Sequence, residues 1–256
     1  MQDNLIDNLI EVRDVTKSFG SYLAVDNLSL TVRRGEIVVL LGQTGAGKST
    51  VLNLIMGTTC PNAGQIRVAG VDPYASFKAL KGRMSVSFQS DRLLPWRTAV
   101  ENVELGLLIL GKSKSQARAR AKEWLARVRL DGVDDKYVHE LSGGMRQRVS
   151  LARALAIDPE IVFLDESFSQ LDHVTSKALR ADFLQIAREF HKTCLLITHR
   201  IDDALEMADR ALVLSPPARV ALEVSISDAA RSDPRQIAEL HAKIAAAMGG
   251  ERQTEH

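Results

Sequence analysis

Three separated groups of residues have the types and spacing to handle phosphate. The first is Gly42-Gln43-Thr44-Gly45-Ala46-Gly47-Lys48-Ser49-Thr50. Its glycines let successive backbone N–H groups turn toward one anion, and a helix starting there adds its positive end. Lys48 would supply a mobile charge for the outer phosphates of a nucleotide, and Ser49 a hydroxyl ligand for Mg²⁺. The second group is Asp165-Glu166, closing the apolar run Ile161-Val162-Phe163-Leu164. Asp165 suits Mg²⁺, an ion that takes one or two carboxylates and keeps several waters. Glu166, one residue on, points elsewhere and can orient and partly deprotonate an attacking water, a contribution of ~10²–10⁴-fold. The third is Ser142-Gly143-Gly144, a small-residue helix start offering bare N–H groups to an anion. A plain N-cap would use the same residues. Gln89 and His199 each end a short apolar stretch. A glutamine there can touch both Mg²⁺ and the water, and a histidine there can contact a γ-phosphate. In isolation both residue types are more often structural.

These groups need elements that bring them together. Ile37 to Leu41 is a short β-branched run that reads as a buried strand, and Val51 to Gly57 as a buried helix stopped by glycine. Leu9 to Val15 alternates as a half-exposed strand, Phe19-Gly20 falls at a turn, and Leu23 to Val32 is a second strand region. Strands follow at Gln65 to Ala69 and Arg83 to Phe88. From 90 to about 157 the pattern turns helical. Thr98 to Leu110 carries a cap with Glu101 three residues on. Ser113 to Leu130 buries Ala117, Ala121, Trp124, Leu125 and Val128 on one face and sets Lys114, Arg118, Arg120, Lys122, Arg127 and Arg129 on the other. We read that basic face as solvated. Another helix runs from Ser142 to Ile157. Strands at Ile161 to Glu166, Cys194 to Thr198, Ala211 to Leu214 and Arg219 to Ile226 then alternate with helices at Val174 to Phe190 and Arg200 to Met207. An amphipathic tail helix spans Pro234 to Met248. Such alternation implies a largely parallel sheet with helices on its faces, and ligands collect at the carboxyl ends of such strands. Gly42, Gln89, Asp165-Glu166 and His199 all fall at those ends.

A chain of 256 residues, 45% apolar and 25% charged, fits one large α/β domain or one domain carrying a subdomain. A net charge of +1 argues against nucleic acid as the main partner. Cys60 and Cys194 lack metal-like spacing and fit a reducing compartment, with Cys194 a small core residue. The polar, acidic stretch from Met1 to Asn8 has no export-signal layout, and its doublet Asp3-Asn4-Leu5-Ile6, Asp7-Asn8-Leu9-Ile10 carries no functional weight. No apolar run approaches the ~20 residues needed to span a bilayer. A membrane role is therefore expected only through a partner chain.

Leu141-Ser142-Gly143-Gly144-Met145-Arg146-Gln147-Arg148, shortly before a hydrophobic strand ending Asp-Glu and downstream of the phosphate loop, resembles the ATPase subunits of the ATP-binding-cassette family. The resemblance covers nearly the whole chain. It implies an α/β fold: a RecA-like P-loop core with a mainly parallel sheet (9–89 and 158–226), an N-terminal antiparallel β region, an inserted helical subdomain (90–157) and a helical tail (227–256). By the same resemblance Phe19 stacks on adenine, Gly42 to Thr50 binds the phosphates, and Gln89 links core to subdomain. Asp165, with Ser49 and Gln89, holds Mg²⁺. Glu166 is the base, His199 the γ-phosphate histidine, and Asp172 lies in the loop facing the partner subunit. Ser142 to Gly144 would serve ATP held by a second, identical subunit.

Arg92-Leu93-Leu94-Pro95-Trp96 is similar to a loop of importers of nitrate, sulfonate, taurine and bicarbonate. It implies docking on a membrane permease, an indirect link to a substrate-binding protein, and a place on the cytoplasmic face of the inner membrane. Leu93 and Trp96 could instead anchor the helical subdomain. Two positions depart from the family: Ser167 stands where proline is usual, and Gln170 where a small residue is usual. Both leave the essential acids in place. An exporter or lipid pump shares this chemistry, and a soluble cassette ATPase of iron–sulfur assembly is the remaining alternative. Repair and translation members would need a long coiled coil or two cassettes, and a small-molecule kinase would lack Leu141 to Gly144.

Overall fold

The structure, a computed structural model, describes residues 8–249. The doublet's first half, and all but Asn8 of the stretch read as having no export-signal layout, lie outside the described residues. The chain divides into two compact units, one built from residues up to Leu80 and from Thr193 onward, the other from Lys81 to Lys192.

In the first unit, β1 (Asn8–Phe19) pairs antiparallel with β2 (Tyr22–Arg33) on one side and with β4 (Ala63–Val68) on the other. β1 runs through to Phe19 rather than stopping at Val15. Its register shifts between Val12 and Val15, where Asp14 sits at φ 50°, so the period-2 alternation breaks while the pairing continues. Phe19 is therefore a strand residue opposite Tyr22, with Gly20 and Ser21 making the turn. β3 (Ile37–Leu41) lies between β7 (Thr193–Thr198) and β8 (Arg210–Ser215), parallel to both. Every residue of β3 and β7 is buried, as expected of strands covered on both faces. β9 (Arg219–Ser225) returns antiparallel on β8, because the short Pro216-Pro217-Ala218 connection cannot make a parallel crossover.

Helix α1 (Lys48–Ile55) begins inside the glycine-rich loop, three residues ahead of the apolar stretch that announces it. Its first turn is polar, so hydrophobic periodicity does not show it. α6 (Ile201–Met207), a short α7 (Asp228–Arg231) not evident from the sequence, and α8 (Pro234–Ala247) complete this unit.

In the second unit, β5 (Met84–Ser87) pairs parallel with β6 (Ile161–Asp165). Helices α2 (Ala99–Ile109) and α3 (Lys114–Arg127) start with the capping boxes Thr98/Glu101 and Ser113/Gln116. α4 (Gly143–Ala156) and α5 (His173–Glu189) are capped by Ser142 and Asp172. Ala117, Ala121, Trp124, Leu125 and Val128 are all fully buried, with the Trp124 ring centroid 5.4 Å from that of Phe190. The basic face of α3 is answered by carboxylates of its own unit. Arg118 pairs with Glu104 (2.6 Å), Arg120 with Glu123 (2.8 Å), Lys122 with Asp134 (3.1 Å) and Arg129 with Asp182 (2.7 Å). Among the described residues no helix is long and apolar enough to cross a membrane.

Candidate active site

Leu41 at the end of β3 is in register with Thr198 at the end of β7. Gly42 and His199 therefore leave neighbouring strands side by side, as the strand-end argument requires. Gln43, Thr44 and Gly45 form an exposed rim while Ala46 is buried beneath them. Lys48 is only 6% exposed, and its Nζ donates to the carbonyls of Gly42 (2.7 Å) and Gln43 (2.9 Å). Gly47 caps α1 at φ 81°, and a Cβ there would lie 2.6 Å from the Ala24 carbonyl oxygen, so no other residue fits. α1 has no side-chain cap and no acid in its first turn, and it opens on a lysine. A cation at the positive end of a helix is unfavourable by itself and becomes favourable once an anion sits there. Among the residues of this unit, the loop therefore fits a phosphate group.

Ser49 is exposed and Thr50 half-buried at the same helix start. The hydroxyl of Thr198 accepts from the Arg200 N–H (3.0 Å) and donates to buried Asp203 (2.7 Å), which fixes the turn that presents exposed His199. Phe19 is 52% exposed, with the Lys17 ammonium 5.0 Å from its ring centroid. Unannounced by sequence is the tail's reach into the loop: Gln43 Nε2 donates to the Met248 carbonyl at 2.6 Å, across 205 residues.

In the second unit, Ser87 of β5 is in register with Leu164 of β6, so Gln89 and the pair Asp165-Glu166 emerge at adjacent strand ends. Both acids are half-buried. Glu166 adopts φ 48°, and its carbonyl accepts from the Ser169 N–H (3.0 Å) and hydroxyl (2.8 Å). The Gln89 amide donates to the same Ser169 hydroxyl at 3.4 Å. Asp172 accepts from the Thr175 N–H at 3.0 Å and caps α5; the Thr175 side chain and backbone hold its carboxyl below the usual carboxylate range. The Ser142 hydroxyl accepts from the Met145 N–H at 3.3 Å. A Cβ on Gly144 would sit 2.9 Å from the Thr175 methyl, whereas Gly143 is exposed and faces only the tip of Arg146 at 3.9 Å.

A profile described as ABC transporter matches residues 25–169, more than half of the chain. The chain belongs to the ABC transporter ATPase family. It is 44% identical over 205 residues to the taurine import ATP-binding protein TauB of Yersinia pestis bv. Antiqua (strain Antiqua), covering 80% of this chain and 79% of that protein. It is 40% identical over 209 residues to the Fe(3+) ions import ATP-binding protein FbpC of Escherichia coli O157:H7, covering 81% of this chain and 60% of that protein. Among solved structures, the dimeric ATP-binding cassette MJ0796 bound to ADP and Pi matches with a TM-score of 0.75 at 31% identity, over 85% of this chain and 99% of that one. cbiO1 from Clostridium perfringens, part of the ABC transporter complex cbiONQ, matches with a TM-score of 0.81 at 24% identity over 96% of each chain, a likeness of fold.

The loop after Gln89 in this ABC ATPase divides its two apolar candidates. Leu93 is buried, whereas Trp96 is 70% exposed, so one anchors and the other faces solvent. Three side chains that spacing alone does not mark hold the loop. Buried Asn102 accepts from the Leu94 N–H (2.7 Å) and donates to the carbonyls of Leu94, Arg97 and Thr98. Arg153 donates to the carbonyls of Asp91 (2.6 Å) and Arg92 (2.7 Å), and Arg146 pairs with the Asp91 carboxylate (3.1 Å). The available signal was an asparagine inside the apolar stripe of α2. Arginines four and eleven residues past Ser142 carry no such mark.

Proposed function

We propose that this ABC ATPase is the ATP-hydrolysing subunit of a bacterial importer, acting as a homodimer at the cytoplasmic face of the inner membrane. The observation that carries the ATP chemistry is buried Lys48 at an uncapped, acid-free helix start. In this reading Gly42 to Thr50 binds the phosphates, Phe19 stacks on adenine, and His199 contacts the γ-phosphate. Asp165, Ser49 and Gln89 are the residues that would hold Mg²⁺, which supplies charge neutralisation for the phosphates when bound. A site of one carboxylate, a hydroxyl and an amide is what Mg²⁺ takes alongside phosphate oxygens. Glu166 orients and deprotonates the water.

Gly143 supports a partner-facing role for Ser142 to Gly144. Among the described residues nothing crowds a Cβ there, which leaves this helix start open to an anion from outside. Asp172 would lie beside the same partner. Exposed Trp96 supports docking of the Gln89 to Trp96 loop on a permease helix, with a substrate-binding protein engaged only indirectly. The taurine-import relative supports a small organic or inorganic anion as cargo: taurine, another sulfonate, nitrate or bicarbonate. Ferric iron is the second reading, favoured by the iron-import relative.

Purified Glu166→Gln protein is the test. It should bind ATP and dimerise with Mg·ATP while hydrolysis collapses. A monomer at saturating Mg·ATP, both free and beside its permease, overturns the proposal. Isolation of the native protein with soluble scaffold proteins instead of a permease would overturn the transport assignment alone.

A further inference from the structure

Glu166 is one of eight non-glycine residues at positive φ among the described residues, a conformation that persists only where its surroundings over-determine it. On its own side chain's C-terminal flank the restraint is visible. The Ser169 N–H and hydroxyl close on the Glu166 carbonyl. The next residue, Ser167, is 4% exposed, and its hydroxyl donates to the Ser87 carbonyl at 2.8 Å. Ser87 ends β5 two residues before Gln89, is 1% exposed, and its own hydroxyl has no hydrogen-bond partner among the described residues. The Ser167 bond is therefore buried, where a hydrogen bond is electrostatically stronger than in water.

We infer that Ser167 is a positioning residue for hydrolysis: its hydroxyl ties the segment bearing Glu166 to the strand that leads into Gln89. The inference rests on the reading of Glu166 as the base. A residue without a hydroxyl at this position cannot make this bond. The tether acts on the direction of the Glu166 side chain, so it affects the chemical step and leaves nucleotide affinity alone.

ATP hydrolysis by Ser167→Ala, Ser167→Thr, Glu166→Gln and the Glu166→Gln/Ser167→Ala double variant, each in the full chain, tests this. Loss of one buried hydrogen bond predicts a fall in kcat of about three- to tenfold for Ser167→Ala. KM for Mg·ATP should stay within about twofold, the mark of an interaction made in the transition state. Threonine keeps the hydroxyl and should restore at least about half of the rate. In the Glu166→Gln background, Ser167→Ala should cause no further loss, because the tether would have no base to aim. Unchanged kcat in Ser167→Ala, a loss that threonine does not rescue, or an equal loss in the Glu166→Gln background overturns the inference while the base assignment stands. Glu166→Gln hydrolysing ATP at near the parental rate overturns the base assignment and the inference with it.

Discussion

Two helix starts in this protein look alike in sequence and are built for different ends. α1 follows Gly45-Ala46-Gly47, and α4 follows or includes Ser142-Gly143-Gly144. α1 has a left-handed glycine cap, no side-chain cap bond and a buried lysine as its first residue. Its helix dipole and its lysine both favour an anion at this end. α4 is already capped by the Ser142 hydroxyl, and one of its glycines, Gly144, exists because the Thr175 methyl at the start of α5 leaves no room for a Cβ. Only Gly143 is free of an internal reason. Small residues before a helix therefore fit the proposed phosphate site at α1 as a whole, and the proposed partner contact at α4 through a single position.

The contrast can be broken by substitution. Lys48→Ala should produce the largest effect, a fall in ATP hydrolysis of roughly 10²–10³-fold, since it removes a preorganised cation from the phosphate site. Steady-state ATPase assay decides it, and retention of a tenth of the activity would mean that α1 does not depend on that charge. Gly143→Val should lower hydrolysis about ten- to hundredfold, as expected for an obstructed charge-assisted contact. Its melting temperature should match that of the parent. Gly144→Ala should behave in the opposite way, losing about 1–3 kcal/mol of stability to overpacking against Thr175. For a chain of this size that is a drop in Tm of roughly 2–10 °C by calorimetry. If both glycine variants lose stability equally, the distinction between the two positions fails.

The smallest effect concerns Asp172, whose carboxyl the Thr175 side chain and backbone hold below its usual range. A depressed carboxylate contributes stability that is fully present above its unfolded pKa, about 4, and is lost as pH falls through the lower folded value. The Tm difference between parent and Asp172→Ala should therefore be constant near neutrality and shrink below about pH 4. A difference that persists unchanged in acid would show that the carboxylate charge is not what caps α5.

Much of this was legible in one dimension because it depends on local chemistry. The capping boxes at Thr98 and Ser113 need only residues three apart, and both are present. Ile37 to Leu41 and Ile161 to Glu166 read as buried strands because β-branched runs bounded by polar residues have few other places to go; the first has the bounds of β3, and the second ends one residue earlier in the structure, at Asp165. The start of α1 was less legible, since its first turn is spent on phosphate-loop residues instead of core contacts. The extension of β1 to Phe19 was hidden by bulges that shift alternation without ending pairing.

What the sequence determined by itself is the inventory: a glycine-rich loop with its lysine, a pair of acids after a strand, and a small-residue helix start. Each is a short-range pattern whose chemistry follows from residue type. What tertiary structure alone decided is which groups answer one another over long separations. Leu41 meets Thr198, placing His199 beside Gly42; Gln43 meets Met248; Ser167 meets Ser87; Asn102 holds Leu94. These pairings are set by strand register and helix packing, which sum contacts across the whole chain, and no local spacing records that sum.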